Sequence, residues 1–133
     1  MGLPPATVMT KYSRKASAVS FLQMVVSGQI RRAYEKYISP TMRHHNVYYN
    51  GDAASLQKGM ADNHTQFPNK HYEVKQALED GDFVGILGHV QFKPNDPGIA
   101  VYHLFRFRGD KVVEMWDVGQ AIPADSPNKN GAF

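Results

Sequence analysis

The sequence predicts an α+β domain in which three helices precede a four-stranded antiparallel meander and cover one of its faces. Three observations lead there. Apolar residues recur at helical spacing as far as Phe67, the period then changes to two, and turn-forming pairs divide the second half into four strand-length runs. With 133 residues, 42% hydrophobic and 20% charged, the chain has the size and composition of a single globular domain over 1–133. Residues 1–12 read as a flexible extension. The stretch from Met1 to Lys15 has neither an apolar signal core nor a small-residue cleavage pattern, which predicts a cytoplasmic location. No apolar run approaches the roughly 18 residues of a membrane helix, so no membrane partner is expected.

The first helix is expected from about Tyr12 to Ser27. Its apolar positions are Ala16, Val19, Leu22, Met24, Val25 and Val26, and Ser27-Gly28 supplies a C-terminal glycine signal. The second runs from Gln29 to Ile38, where Ile30, Ala33, Tyr34, Tyr37 and Ile38 form an amphipathic stripe that Ser39-Pro40 ends. Asn50-Gly51 is a turn signal and Asp52 an N-cap for a third helix over about 53–67, whose inward stripe is Leu56, Met60, Asn63 or His64, and Phe67. Strands follow over 71–78, 83–92, 99–107 and 112–118, separated by Asp80-Gly81, Asn95-Asp96-Pro97-Gly98 and Gly109-Asp110. Gly85 and Gly88 mark where the sheet can bend, leaving a pocket between the two layers. Pro123 onward reads as a coil-like tail, with Phe133 docking at the pocket mouth or a dimer seam.

Zero cysteines exclude disulfides, thiol nucleophiles, thiolate metal sites and iron–sulfur clusters. Chemistry is left to carboxylates, hydroxyls and six histidines. The net charge of +3 is spread out, with no basic block longer than Arg31-Arg32, so no nucleic-acid partner is expected. Ser13-Arg14-Lys15 reads as a solvated helix start, and Arg106 and Arg108 as residues of the convex face or of a dimer interface, paired with Glu73 or Glu114.

Strand pairing selects the candidate site. A two-residue Asp80-Gly81 loop sets Val74 opposite Leu87 and Tyr72 opposite His89, all on one face. In the last hairpin a two-residue loop puts His103 opposite Trp116, and a three-residue loop with a glycine bulge puts it opposite Met115. The bulged register is preferred because it gathers Val101, His103, Phe105, Val113, Met115 and Asp117 on a single face and turns Trp116 outward. Two histidines and a carboxylate on neighbouring strands are harder to explain as packing than one, because each buried polar group needs a partner.

Several words of the sequence, in order, resemble the SnoaL-like polyketide cyclase family within the nuclear transport factor 2-like superfamily. They are Arg43-His44-His45-Asn46, Gly51, Gly98 to Arg106, Gly109 to Val118 with Gln120, Pro123, and Ser126 to Phe133. The resemblance spans roughly 29–133. It implies a cone-shaped barrel, helices on a strongly curved sheet around a deep interior pocket, and a homodimer formed through the sheet. It also implies cofactor-free, metal-free acid–base chemistry on a small hydrophobic ligand: aldol cyclisation, isomerisation or a dehydratase-type reaction. His45 and Asn46 match the family's pocket-facing His-Asn pair, and Trp116-Asp117 its Trp-Asp pair. Where the family typically has aspartate, two residues before the Phe of Phe-Arg, this chain has His103.

The expected catalytic set is therefore His103, Asp117, His45 and His89. His103 abstracts a proton α to a carbonyl, Asp117 accepts the Nδ1 proton and orients it, and His45 or His89, or more weakly Tyr72, donates to the enolate oxygen. Asn46, Tyr72, Leu87, Val101, Phe105, Met115, Met60 and Tyr34 are expected to line the ligand. Two other readings compete: a non-catalytic ligand-binding homodimer, and a metal site of His45, His89, His103 and Asp117. His44 reads as exposed, and His64 and His71 as surface or packing residues.

Overall fold

A computed structural model describes residues 13–133. The expected extension over 1–12 lies outside the described residues. Helix α1 (Arg14–Val26) starts where the Ser13 hydroxyl accepts from Ala16 N, and α2 (Ile30–Tyr37) follows after Gly28, whose φ of 89° lets the chain reverse. Helix α3 (Ala53–Gln66) is capped by Asp52, which accepts from Ser55 N at 3.0 Å. Asp52 is thereby held below the usual carboxylate range, through its bonds to the Ser55 hydroxyl and amide.

The sheet has five strands rather than four. Strands β1 (Ile38–His44), β2 (His71–Asp80), β3 (Phe83–Gln91), β4 (Ile99–Arg108) and β5 (Lys111–Ala121) lie in the order β1-β5-β4-β3-β2. β1 runs parallel to β5, so the sheet is mixed, and its two edges do not meet, so the barrel is open. The extra strand is the segment that Ser39-Pro40 marked as a helix end. Pro40 has no N–H to give a ladder, yet β1 is an edge strand whose register shifts between Ile38 and Arg43, which removes the conflict.

Both tight hairpins close on Gly-Asp. Asp80 pairs with Phe83 and Arg108 with Lys111, leaving Gly81-Asp82 and Gly109-Asp110 as two-residue turns whose first residue has φ 59° and 61°. Glycine takes that conformation without strain, which makes Gly-Asp the loop here rather than Asp80-Gly81. The first ladder then shifts between Val74 and Gln76, so Tyr72 faces Val90 and Val74 faces Gly88. In the last hairpin the bulge lies inside the ladder, between Arg106 and Phe107. His103 consequently faces Asp117, and Val112 rather than Val113 takes the core position opposite Phe107.

Arg14 ties these turns together. Its guanidinium donates to Gly81 O at 3.0 Å, to Asp82 Oδ1 at 2.6 Å and to Gly109 O at 3.2 Å, so the residue read as a solvated helix start instead holds two hairpin ends against α1. The core between helices and sheet is built on Phe21, Phe105, Phe107, Met42, Ile86 and Met115, with Phe21 edge-on to Tyr34 and Phe105 at 5.5 and 5.9 Å. Phe133 packs against His89 on the other face of the sheet, with Lys75 Nζ 5.0 Å from its ring centroid.

Candidate functional site

The open end of the two layers encloses a cavity of about 430 Å³. Leu22, Val25 and Val26 of α1, Leu56 and Met60 of α3, and Val90, Phe92, Ile99 and Val101 from β3, β4 and their connection make its wall apolar. The segment between β1 and α3 contributes Asn46, Tyr48 and Tyr49. His44 fixes that segment. It is buried rather than exposed, its Nδ1 accepts from Asn46 N at 3.1 Å, and its Nε2 therefore donates to Asn50 O at 2.5 Å. Gly59 in α3 has no side chain because the Tyr49 ring occupies the space where a Cβ would stand.

Besides Tyr48 and Tyr49, polar side chains interrupt this apolar surface at His103, Asp117, Asn46, Tyr72 and the pair of Lys70 with Asn63. His103 and Asp117 are cross-strand partners on β4 and β5. The Asp117 carboxylate accepts from Asn46 Nδ2 at 3.0 Å, while His103 Nδ1 is buried without a partner. The expected Nδ1–carboxylate bond is thus not made. Burial pushes the His103 imidazole down to about 4, against the opposing pull of Asp117. The ring lies parallel to that of Phe105, centroids 5.9 Å apart.

Tyr72 reaches across the sheet face over Gly88, where a Cβ would collide with its ring. Its hydroxyl is buried without a partner, and burial pushes the phenol up to about 12. It is a neutral donor at any ordinary pH. Lys70, just before β2, donates to Asn63 Oδ1, and burial lowers its ammonium from the usual value.

Of the expected set, the cavity gathers His103, Asp117, Asn46, Tyr72, Val101 and Met60. Phe105 and Met115 lie beneath it in the core, and so does Tyr34, whose hydroxyl points to Met60 Sδ at 3.3 Å. Burial, and then the Asp117 charge, raise the Tyr34 phenol far above its usual range. His89 and Leu87 face the opposite side of the sheet, because the ladder that puts His103 opposite Ile86 gives Ile86, Gly88 and Val90 the face of His103, with Val90 reaching the cavity. His89 Nε2 bonds to Pro97 O at 2.8 Å instead.

His45 also lies outside. It stacks on Trp116 at 4.9 Å and its Nε2 is 2.6 Å from Glu114 Oε2, on the face where Arg106 binds the same carboxylate. Those bonds, from His45 first and then Arg106, hold Glu114 below the usual carboxylate range. The proposed metal set is divided between two faces, and among the described residues no three His, Asp or Glu side chains are grouped to hold a metal ion. The sequence pointed to neither Lys70, Tyr48, Tyr49 nor Ile99 as lining. Lys70 and the two tyrosines sit in loops where no period applies, and Ile99 follows only from the parity of Val101.

No family profile matches the sequence, and no curated protein matches it. Solved structures do match. IdmH from Streptomyces antibioticus, a candidate polyketide cyclase, is 14% identical with a TM-score of 0.67, over 81% of this chain and 92% of its own. AclR from Streptomyces galilaeus, a candidate hydroxylase, is 23% identical at 0.61, over 80% and 90%. An NTF2-like protein of unknown function from Cytophaga hutchinsonii is 11% identical at 0.65, over 81% and 90%. Likeness at these identities concerns architecture, and activity has to be argued from the site. No helix among the described residues is long and apolar enough to cross a membrane. With three helices among the described residues laid on an open five-stranded sheet beside a cavity, the chain has the nuclear transport factor 2-like fold.

Proposed function

We propose that the protein binds a small, largely apolar carbonyl compound in this cavity and moves a proton at the carbon α to the carbonyl, without a cofactor, towards aldol cyclisation or isomerisation. The observation that carries this reading is His103 opposite Asp117 in a wall that is largely apolar. A neutral imidazole can take a proton, and the imidazolium so formed lies beside a carboxylate that Asn46 already holds in place. The C–H electron pair moves to the carbonyl oxygen as an enolate. Tyr72 is the donor for that oxygen, in place of His45 and His89, because its unpartnered hydroxyl belongs to the cavity wall.

Exchange of α-protons into deuterated water, followed by NMR on a panel of apolar ketones, tests the reading. Exchange above the buffer rate in the wild type, falling by about 100-fold or more in both His103→Gln and Asp117→Asn, is the expected result. Equal rates in wild type and variants overturn it.

A second reading, a non-catalytic ligand-binding dimer, draws on the low proton affinity of His103. Ketones that bind in the cavity but exchange no faster than in buffer would identify it. Both readings include a homodimer through the convex sheet face, where Leu78, Phe83, Tyr102 and Val118 expose apolar surface around Trp116.

A further inference from the structure

Lys70 has no part in the proton transfer just described, yet among the described residues lining the cavity it is the only lysine or arginine. It is paired with no carboxylate among the described residues. One of its three ammonium donors goes to the neutral carbonyl oxygen of Asn63, and burial disfavours its charged form. A half-buried ammonium without a counter-charge gains more from an arriving anion than a solvated one does, because the desolvation cost has already been met in folding.

Its position along the sheet adds a length. His71, next to Lys70, pairs with Gln91, whereas His103 pairs with Ile86. Those positions on β3 are separated by about 17 Å of strand. Val90, Ile99 and Val101 line the wall between them.

We infer that Lys70, with Asn63, receives a carboxylate, so that the ligand is an elongated acid with an apolar body whose carboxylate lies remote from the group presented to His103 and Asp117. The inference rests on reading the cavity as a ligand site but not on proton transfer occurring there.

Calorimetric titration with octanoate and with 1-octanol tests it, since the two share an apolar chain and differ in the charged end. Octanoate should bind wild type at least about tenfold more tightly than octanol. Lys70→Met should bring the two within about twofold of each other through loss of octanoate affinity, and Lys70→Arg should retain most of the preference. Equal affinities in wild type, or a preference that survives in a folded Lys70→Met, overturn the carboxylate inference while octanol binding keeps the cavity reading intact. Failure of both probes to bind overturns the two together.

Discussion

His103 and Asp117 face one another across β4 and β5, yet the carboxylate takes its hydrogen bond from Asn46 at 3.0 Å and leaves His103 Nδ1 buried without a partner. Such an arrangement keeps the imidazole neutral, because burial outweighs the attraction of the nearby carboxylate.

One consequence concerns stability. The folded imidazole is pushed down to about 4 from an unfolded value near 6.5, so below that value the unfolded chain binds a proton that the folded chain does not. Stability should be unaffected by this group above about pH 6.5 and should fall as pH drops towards about 4. Urea titrations across that range should show the slope, and His103→Leu should reduce it. An unchanged slope in the variant would place the titration elsewhere.

Tyr72→Phe separates stability from chemistry. The hydroxyl has no partner to lose, so the variant should unfold within about 1 kcal/mol of the wild type or be more stable. If Tyr72 donates to the enolate oxygen, the same variant should exchange α-protons at least about tenfold more slowly. Thermal unfolding beside the NMR assay reads both quantities.

Gly88→Ala puts a methyl into the space of the Tyr72 ring, so the ring has to give up its place on the sheet face and shift towards the cavity. We expect a loss of about 1–3 kcal/mol, as for other overpacked positions. The double variant with Tyr72→Ala should recover most of it. Chemical denaturation of the four proteins in the cycle measures the coupling.

The convex face supplies a prediction about assembly. Val118 is 65% exposed and faces Tyr102 across the ladder beside Trp116. If two copies pair through this face, Val118→Glu should convert a dimer to a monomer by light scattering, with the far-ultraviolet spectrum unchanged. A monomeric wild type, or a dimer that persists in the variant, removes the sheet interface.

The helices and the four long strands were legible in the sequence because each rests on a local rule. Apolar spacing of 3.6 or 2, Asp52 as a cap and glycine at the turns act within a few residues of one another. Asp117 could be placed on the face of His103 for the same reason, once a bulge was allowed. β1 was not legible, since it is held by a parallel pairing to β5, about seventy residues away, and its proline is tolerated only because it lies at an edge. Registers were decided by the folded sheet. Two ladder shifts, at Val74/Gln76 and Arg106/Phe107, determine which residues oppose one another, and a single residue of slip exchanges the two faces of a strand. His89 and Leu87 leave the cavity while His103 stays because the unbroken β3–β4 ladder sets His103 opposite Ile86, which puts the even-numbered residues of β3 on its face. The removal of His45 to Trp116 and Glu114 likewise depends on contacts between segments distant in sequence, whereas Lys70 meets Asn63 across the turn that ends α3, where no period in the sequence applies. The sequence by itself determined which chemistry was available, histidine and carboxylate without thiol; the tertiary structure decided which of those groups meet, because burial and pairing are properties of the packed sheet and not of any one strand.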